Sequence, residues 1–256
     1  MSALHIPDGS RGSHLSPVEL TPKIIERVLR DGELELLGRM AWSSNATFLV
    51  TASLDGIDVP AVYKPRRGER PLWDFADGTL CEREVATYEL SEVLGWGLIP
   101  TTVLRDGPYG VGMVQRFVDH DPEEHYFTLL ETHADVMRQF AIFDVLANNA
   151  DRKGGHCLLE RGTDDIWGID HGLTFHEESK LRTVIWDFAG EEVADAMCAD
   201  VEALVTDLDG PRCSELRGLL APNEIEALYA RSIGLMRMPS LPIPNEGYKS
   251  VPWPLI

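Results

Sequence analysis

Asn148-Asn149-Ala150-Asp151-Arg152-Lys153-Gly154-Gly155-His156, followed by Trp167-Gly168-Ile169-Asp170-His171-Gly172, sets two carboxylates in the local contexts that phosphoryl transfer needs. Asp151 falls in a loop after an apolar helix, where it can orient an attacking hydroxyl. Asp170 ends a short apolar strand, where it can hold a divalent metal on nucleotide phosphates. Upstream, Ala61-Val62-Tyr63-Lys64-Pro65 offers a cation for those phosphates at the end of a strand. The order is lysine strand, helix with glutamate, base loop, metal aspartate, and it carries more weight than any single piece.

Working outward, Leu80 to Leu94 reads as a helix ended by Gly95 and Gly97, and it carries Glu82, Glu84 and Glu89. A carboxylate on that helix can hold the lysine in place. Thr47 to Thr51 and Val59 to Tyr63 flank a Leu54-Asp55-Gly56-Ile57 turn and form a hairpin. The loop before it, with Ser43, Ser44, Asn45 and Thr47, can offer backbone N–H groups to phosphates. There is no GxxxxGK and no GxGxxG, so the P-loop and dinucleotide readings fail. A first helix is expected from Pro17 to Arg30, ended by Asp31-Gly32, and strands at Thr101–Arg105 and Gly112–Val118. After a polar hinge at Asp119 to Glu124, Thr132 to Ala147 is apolar nearly all round and predicts a central buried helix. Two short strands follow at 157–159 and 166–169, then helices at Glu191–Leu208 and Asn223–Met238. A tail with five prolines begins at Pro239.

Composition narrows the function. The 256 residues carry 42 acidic and 23 basic side chains, a net charge of -19. Such a surface repels nucleic acid and anionic lipid within a Debye length of about 8 Å, so neither nucleic-acid binding nor stable membrane association is expected. No stretch approaches the ~20 apolar residues of a membrane span, and no apolar signal core opens the chain, which points to the cytoplasm. Cys81, Cys157, Cys198 and Cys213 form no CxxC pair, so free, mostly buried thiols are expected. His120, His125, His171 and His176 lack the HExxH spacing of a zinc site.

With these residues in hand, the chain resembles the phosphatidylinositol 3-/4-kinase superfamily, its type II 4-kinase-like branch above all. Ser43 to Val50 is similar to the nucleotide loop and strand, 61–65 to the ATP-lysine strand, and Arg83 to Tyr88 to the glutamate helix. Ile99 to Thr102 and Gly112 to Val118 resemble the strands that lead to the hinge. Phe143 to Arg152 is similar to the catalytic loop and 168–175 to the metal motif. The resemblance implies a two-lobed, kinase-like α+β fold. Its expected parts are an arm at 1–17, an N-lobe at 18–119, a C-lobe at 120–238 and a tail at 239–256. It implies ATP with Mg2+ or Mn2+, Asp151 as the catalytic residue with Arg152 beside it, and Asp170 at the metal; His156, five residues after Asp151, could coordinate the metal as well. Lys64, Glu84, Ser44, Asn45 and Thr47 would seat ATP, and Gln115, Phe117 and Val118 would meet adenine. The γ-phosphate would go to a hydroxyl of a protein, small molecule or lipid. The family usually has asparagine where His156 stands, so a pseudokinase without turnover is the main alternative, and nucleotidyl transfer a lesser one.

Overall fold

In the β2–β3 hairpin, Phe48–Leu54 turning into Ile57–Pro65, residues alternate between two faces. Val59, Ala61, Tyr63 and Pro65 are buried on one face, which leaves Val62 and Lys64 on the other. Asp55 and Gly56 make the turn with φ of 52° and 79°, a pair of left-handed residues that suits the strand twist. A computed structural model describes residues 20–40, 45–245 and 249–256 and extends this hairpin into a five-stranded antiparallel sheet. The added strands are β1 (Glu33–Arg39), β4 (Thr102–Gly107) and β5 (Gly110–Arg116), in the order β1-β2-β3-β5-β4.

Two helices cover the sheet. Helix α1 (Pro22–Asp31), capped by Thr21, packs Val28 and Leu29 against Val50, Ala52, Val59, Ala61 and Tyr63. Helix α2 (Leu80–Leu94) packs Cys81 and Val85 against Met113, which lies opposite Lys64 in the β3–β5 register. The lysine face of the sheet therefore meets α2 (and with it Glu84). The helix buries twelve of its fifteen residues, because its other sides join the core of the second lobe through Ala86, Leu90 and Val93.

That second lobe is helical: α3 (Tyr126–Leu129), α4 (Ala134–Ala147), α5 (Asp195–Asp207), α6 (Ser214–Leu219) and α7 (Pro222–Arg237), with a two-stranded ribbon of β6 (Cys157–Leu159) and β7 (Ile166–Gly168). Met137, Phe140, Ile142, Phe143 and Leu146 of α4 are all fully buried, as its apolar text requires. At ~1.5–3 kcal/mol for each large apolar side chain taken from water, α4 is the pillar of this lobe.

The first helix starts at Pro22 rather than Pro17, which lies outside the described residues, because Thr21 accepts from the Ile24 amide and caps it there. Helices α3 and α6 were not expected. Cys81, Cys157 and Cys213 are buried and all four cysteines are free. Among the described residues, no helix is long and apolar enough to cross a membrane.

Candidate active site

Strand β3 ends at the lobe boundary and delivers Lys64 between two carboxylates. Its ammonium donates to Glu84 Oε1 at 2.5 Å and to Asp170 Oδ1 at 2.8 Å. Glu84 is 3% exposed and Lys64 19%, whereas Asp170 keeps 52% of its side chain open to solvent. Burial alone would lower the lysine pKa, but Asp170 and Glu84 more than offset it, so its pKa is raised. Lys64 first, and His156 after it, hold the Asp170 carboxyl well below the usual range, against the loss of water on the side of the carboxylate that faces the protein. Burial pushes Glu84 up, countered by Lys64 and reinforced by Asp170. The other glutamates of α2 look elsewhere: Glu82 pairs with Arg66.

Asp170 follows β7 with φ 62°, left-handed backbone that an aspartate adopts at a cost. The Glu84 carboxylate also accepts from the His171 amide at 2.9 Å, which fixes this turn. His156, after a 3-10 turn at Gly154–His156, sets Nε2 3.5 Å from Asp170 Oδ2. Burial, together with the charges of Arg152, Lys153 and Lys64 and against that of Asp170, lowers its pKa to about 4. The imidazole is therefore neutral at physiological pH; its Nδ1 accepts from the Lys153 amide at 3.4 Å, so the ring proton sits on Nε2 toward Asp170 and must move to Nδ1 before Nε2 can bind a metal.

Asp151 sits across from these groups. Its amide donates to Asn149 Oδ1 at 3.0 Å, and its Oδ2 accepts from Lys153 Nζ at 2.9 Å. Burial raises its pKa, the Asp170 charge adds to this, and Lys153 and Arg182 oppose it. Its side chain is 26% exposed and can still meet an acceptor.

Arg152, expected beside Asp151 as a catalytic residue, points the other way. Its guanidinium is fully buried and grips Asp144 of α4, with Nε 3.1 Å from both carboxylate oxygens and Nη2 2.8 Å from Oδ1. Nη2 also donates to His171 Nε2 at 2.7 Å. Asp144 further accepts from Asn149 Nδ2 at 3.0 Å and from Thr183 Oγ1 at 3.1 Å. This buried hub ties α4 to both flanks of Asp151, so Arg152 positions the loop and does not reach the cleft. Asn148 does similar work: its amide donates to the carbonyls of His176 and Glu178, and its oxygen accepts from the Lys180 amide.

The nucleotide-loop expectation divides. Ser44 lies outside the described residues. Asn45 Oδ1 accepts from the Arg70 amide at 3.0 Å, and the Thr47 hydroxyl donates to the Asn45 carbonyl at 3.4 Å, so these side chains shape the turn. Gln115 is buried with its amide on Thr102 Oγ1 at 2.9 Å, turned toward β4. Phe117 donates its N–H to the Pro60 carbonyl at 2.9 Å, and the Val118 carbonyl lies 2.9 Å from His120 Nδ1. Sequence reasoning gave Lys153 no role, although it was visible as a second cation next to Asp151.

A divalent metal fits this site only as one carried by a nucleotide. Asp170 Oδ2 and the neutral His156 Nε2 face each other, while Oδ1 is engaged by Lys64. Among the described residues no group of three or more His, Cys, Asp or Glu gathers to hold a metal alone. Phosphate oxygens and water would complete the shell, the usual arrangement for Mg2+ at nucleotide sites.

No protein-family model matches the chain. Among solved structures it is similar to the Golgi casein kinase with Mn/ADP bound, at TM-score 0.55 and 13% identity over 84% of this chain and 74% of that one. It is also similar to hydra Fam20 with sugar, at TM-score 0.55 and 12% identity over 84% and 87%. These likenesses fix a two-lobed kinase fold. Sequence similarity reaches further: the chain is 43% identical over 263 aligned positions to Protein Rv2133c of Mycobacterium tuberculosis, covering 89% of this chain and 94% of that protein. On that identity and coverage, the chain belongs to the family of the Mycobacterium tuberculosis protein Rv2133c, built on a kinase fold.

Proposed function

We propose that the chain is an ATP-dependent phosphotransferase that moves the γ-phosphate of ATP to a hydroxyl acceptor. The observation that carries the proposal is Lys64 held between Glu84 and Asp170, at 2.5 and 2.8 Å, in the mouth between the lobes. Lys64 would turn its ammonium to the phosphates as Glu84 keeps it in place, which frees Asp170 Oδ1. Asp170 and His156 would hold a divalent cation, whose chemistry is to neutralise charge on the β- and γ-phosphate oxygens. Asp151 would align the acceptor hydroxyl and take its proton. The acceptor oxygen bonds to the γ-phosphorus as the bond to the β-phosphate oxygen breaks, and ADP leaves. A carboxylate whose pKa burial has raised is the better base for that step.

The short motifs at 43–50, 61–65 and 143–152 support a place near the phosphatidylinositol 3-/4-kinases, whereas the fold neighbours are a casein kinase and Fam20. Fold does not fix the acceptor. The net charge of -19 argues for a protein or small soluble acceptor over a lipid in an anionic membrane. His156 favours a second reading, a pseudokinase that holds nucleotide without turnover. Incubation with γ-labelled ATP, Mn2+ and hydroxyl acceptors separates the two. Under our reading label moves to the acceptor, and Asp151→Asn lowers turnover by ~10²–10⁴ with ATP affinity kept, the usual contribution of a positioned base. Unchanged turnover in Asp151→Asn would remove that residue from the mechanism.

A further inference from the structure

Gly154 stands three residues after Asp151 and two before His156, and its amide hydrogen bond goes to a distant part of the chain: it donates to the Leu255 carbonyl at 2.7 Å. Gly154 is buried, so its N–H has no water to turn to. A Cβ there would stand 2.9 Å from the Phe127 ring and 3.3 Å from that same carbonyl oxygen, and one at Gly155 would stand 3.5 Å from Ile256 Cγ2. The Gly-Gly pair thus leaves room for the tail to lie against the loop.

The tail reaches this point along the chain that follows Asp170. The Leu241 carbonyl accepts from the Gly190 amide at 3.0 Å, and the Leu241 amide donates to the Glu191 carbonyl at 2.9 Å. Farther on, the Ser250 carbonyl accepts from the Thr183 amide and from the Trp186 indole, each at 3.0 Å. Thr183 donates its hydroxyl to Asp144, and the Val184 amide donates to the Arg152 carbonyl at 3.1 Å. Ser250 and Pro252 are buried in this run. One end of the tail segment therefore joins the buried hub behind Asp151, and the other joins the loop in front of it.

On the phosphotransferase reading above, we propose that residues 249–256 form a positioning strap for the catalytic loop, and that transfer requires the strap to be docked. Asp151 and His156 stand on either side of the one loop amide that the strap holds.

The test compares the full chain with a deletion of residues 249–256 and with full-length Trp186→Phe, which removes one donor to Ser250 and none of the residues proposed to seat the nucleotide. Three quantities are measured: Mn-ATP affinity, Mn-dependent ATP hydrolysis with water as acceptor, and amide hydrogen exchange. In the deletion, exchange across 152–156 should rise about tenfold or more, the loss expected when a buried donor loses its partner. Turnover should fall about tenfold, with Mn-ATP affinity within about twofold, and a synthetic peptide of residues 249–256 should restore it. Trp186→Phe should show both effects at a few-fold, which keeps the proposal testable should the deletion fail to fold. Unchanged exchange at 152–156 in the deletion or Trp186→Phe overturns the strap. A rise in turnover on deletion overturns it too, since the segment would then be a plug. Failure of the full chain to bind Mn-ATP would sink the phosphotransferase reading instead, and the exchange result would still decide whether the strap holds the loop.

Discussion

Removing the Asp144 carboxylate should destabilise the centre of the second lobe. Asp144 and Arg152 are both 0% exposed and stand 2.8 Å apart. At an effective dielectric of about 20, that separation corresponds to ~6 kcal/mol of attraction, most of which balances the cost of burying both ions. Asp144→Ala deletes the attraction and leaves the guanidinium buried. It also orphans the Asn149 amide and the Thr183 hydroxyl. Breaking a buried pair in this way costs about 3–5 kcal/mol. In a chain of this size each kcal/mol lowers Tm by about 2–4 °C, so a fall of about 6–20 °C is expected in thermal denaturation followed by circular dichroism. Asp144→Asn should fall between, because its amide presents a donor toward donors. A loss below ~1 kcal/mol for Asp144→Ala would refute the reasoning and show that water or another anion reaches Arg152.

Two further outcomes follow from the electrostatics. His156→Asn should shift nucleotide-binding preference from Mn2+ toward Mg2+ in parallel titrations, since imidazole suits manganese better than magnesium; an unchanged ratio removes His156 from the metal site. On α2, burial and then Glu215, with Glu26, push Glu89 up to about 7, against the Arg30 charge. The folded state thus holds a proton that the unfolded chain releases near its ordinary value of 4.5. That stability is present below 4.5 and lost as pH rises through about 7. Glu89→Gln should therefore be the more stable chain at pH 8, by ~1–2 kcal/mol after allowance for partial solvent screening, and the gain should vanish by pH 4. A gain that does not change with pH contradicts it.

The elements that could be read from the sequence are those with a period or a hard stop. Helix α2 is bounded by Gly95 in the left-handed region, β2 and β3 alternate around an Asp-Gly turn, and α4 is apolar all round. Helices α3 and α6 span four and six residues, too short to show a period. The meeting of Lys64, Glu84 and Asp170 was legible from their order. Choosing Glu84 over Glu82 and Glu89 needed the helix face, since residues two and five positions away look in other directions. Arg152 was misassigned because its partner lies on another element, yet a signal existed. An aspartate within the apolar stretch of a helix demands a buried cation, and Asp144, set between Phe143 and Val145, is that aspartate. The contact between the tail and Gly154 had only the Gly-Gly pair to announce it.

Calorimetric titration of ATP with Mn2+ into the full chain, beside Asp170→Ala, tests the nucleotide cleft most directly. Saturable, metal-dependent binding that Asp170→Ala weakens at least tenfold is the predicted result. Equal binding in both chains, or none in either, would contradict the placement of ATP between Lys64 and Asp170.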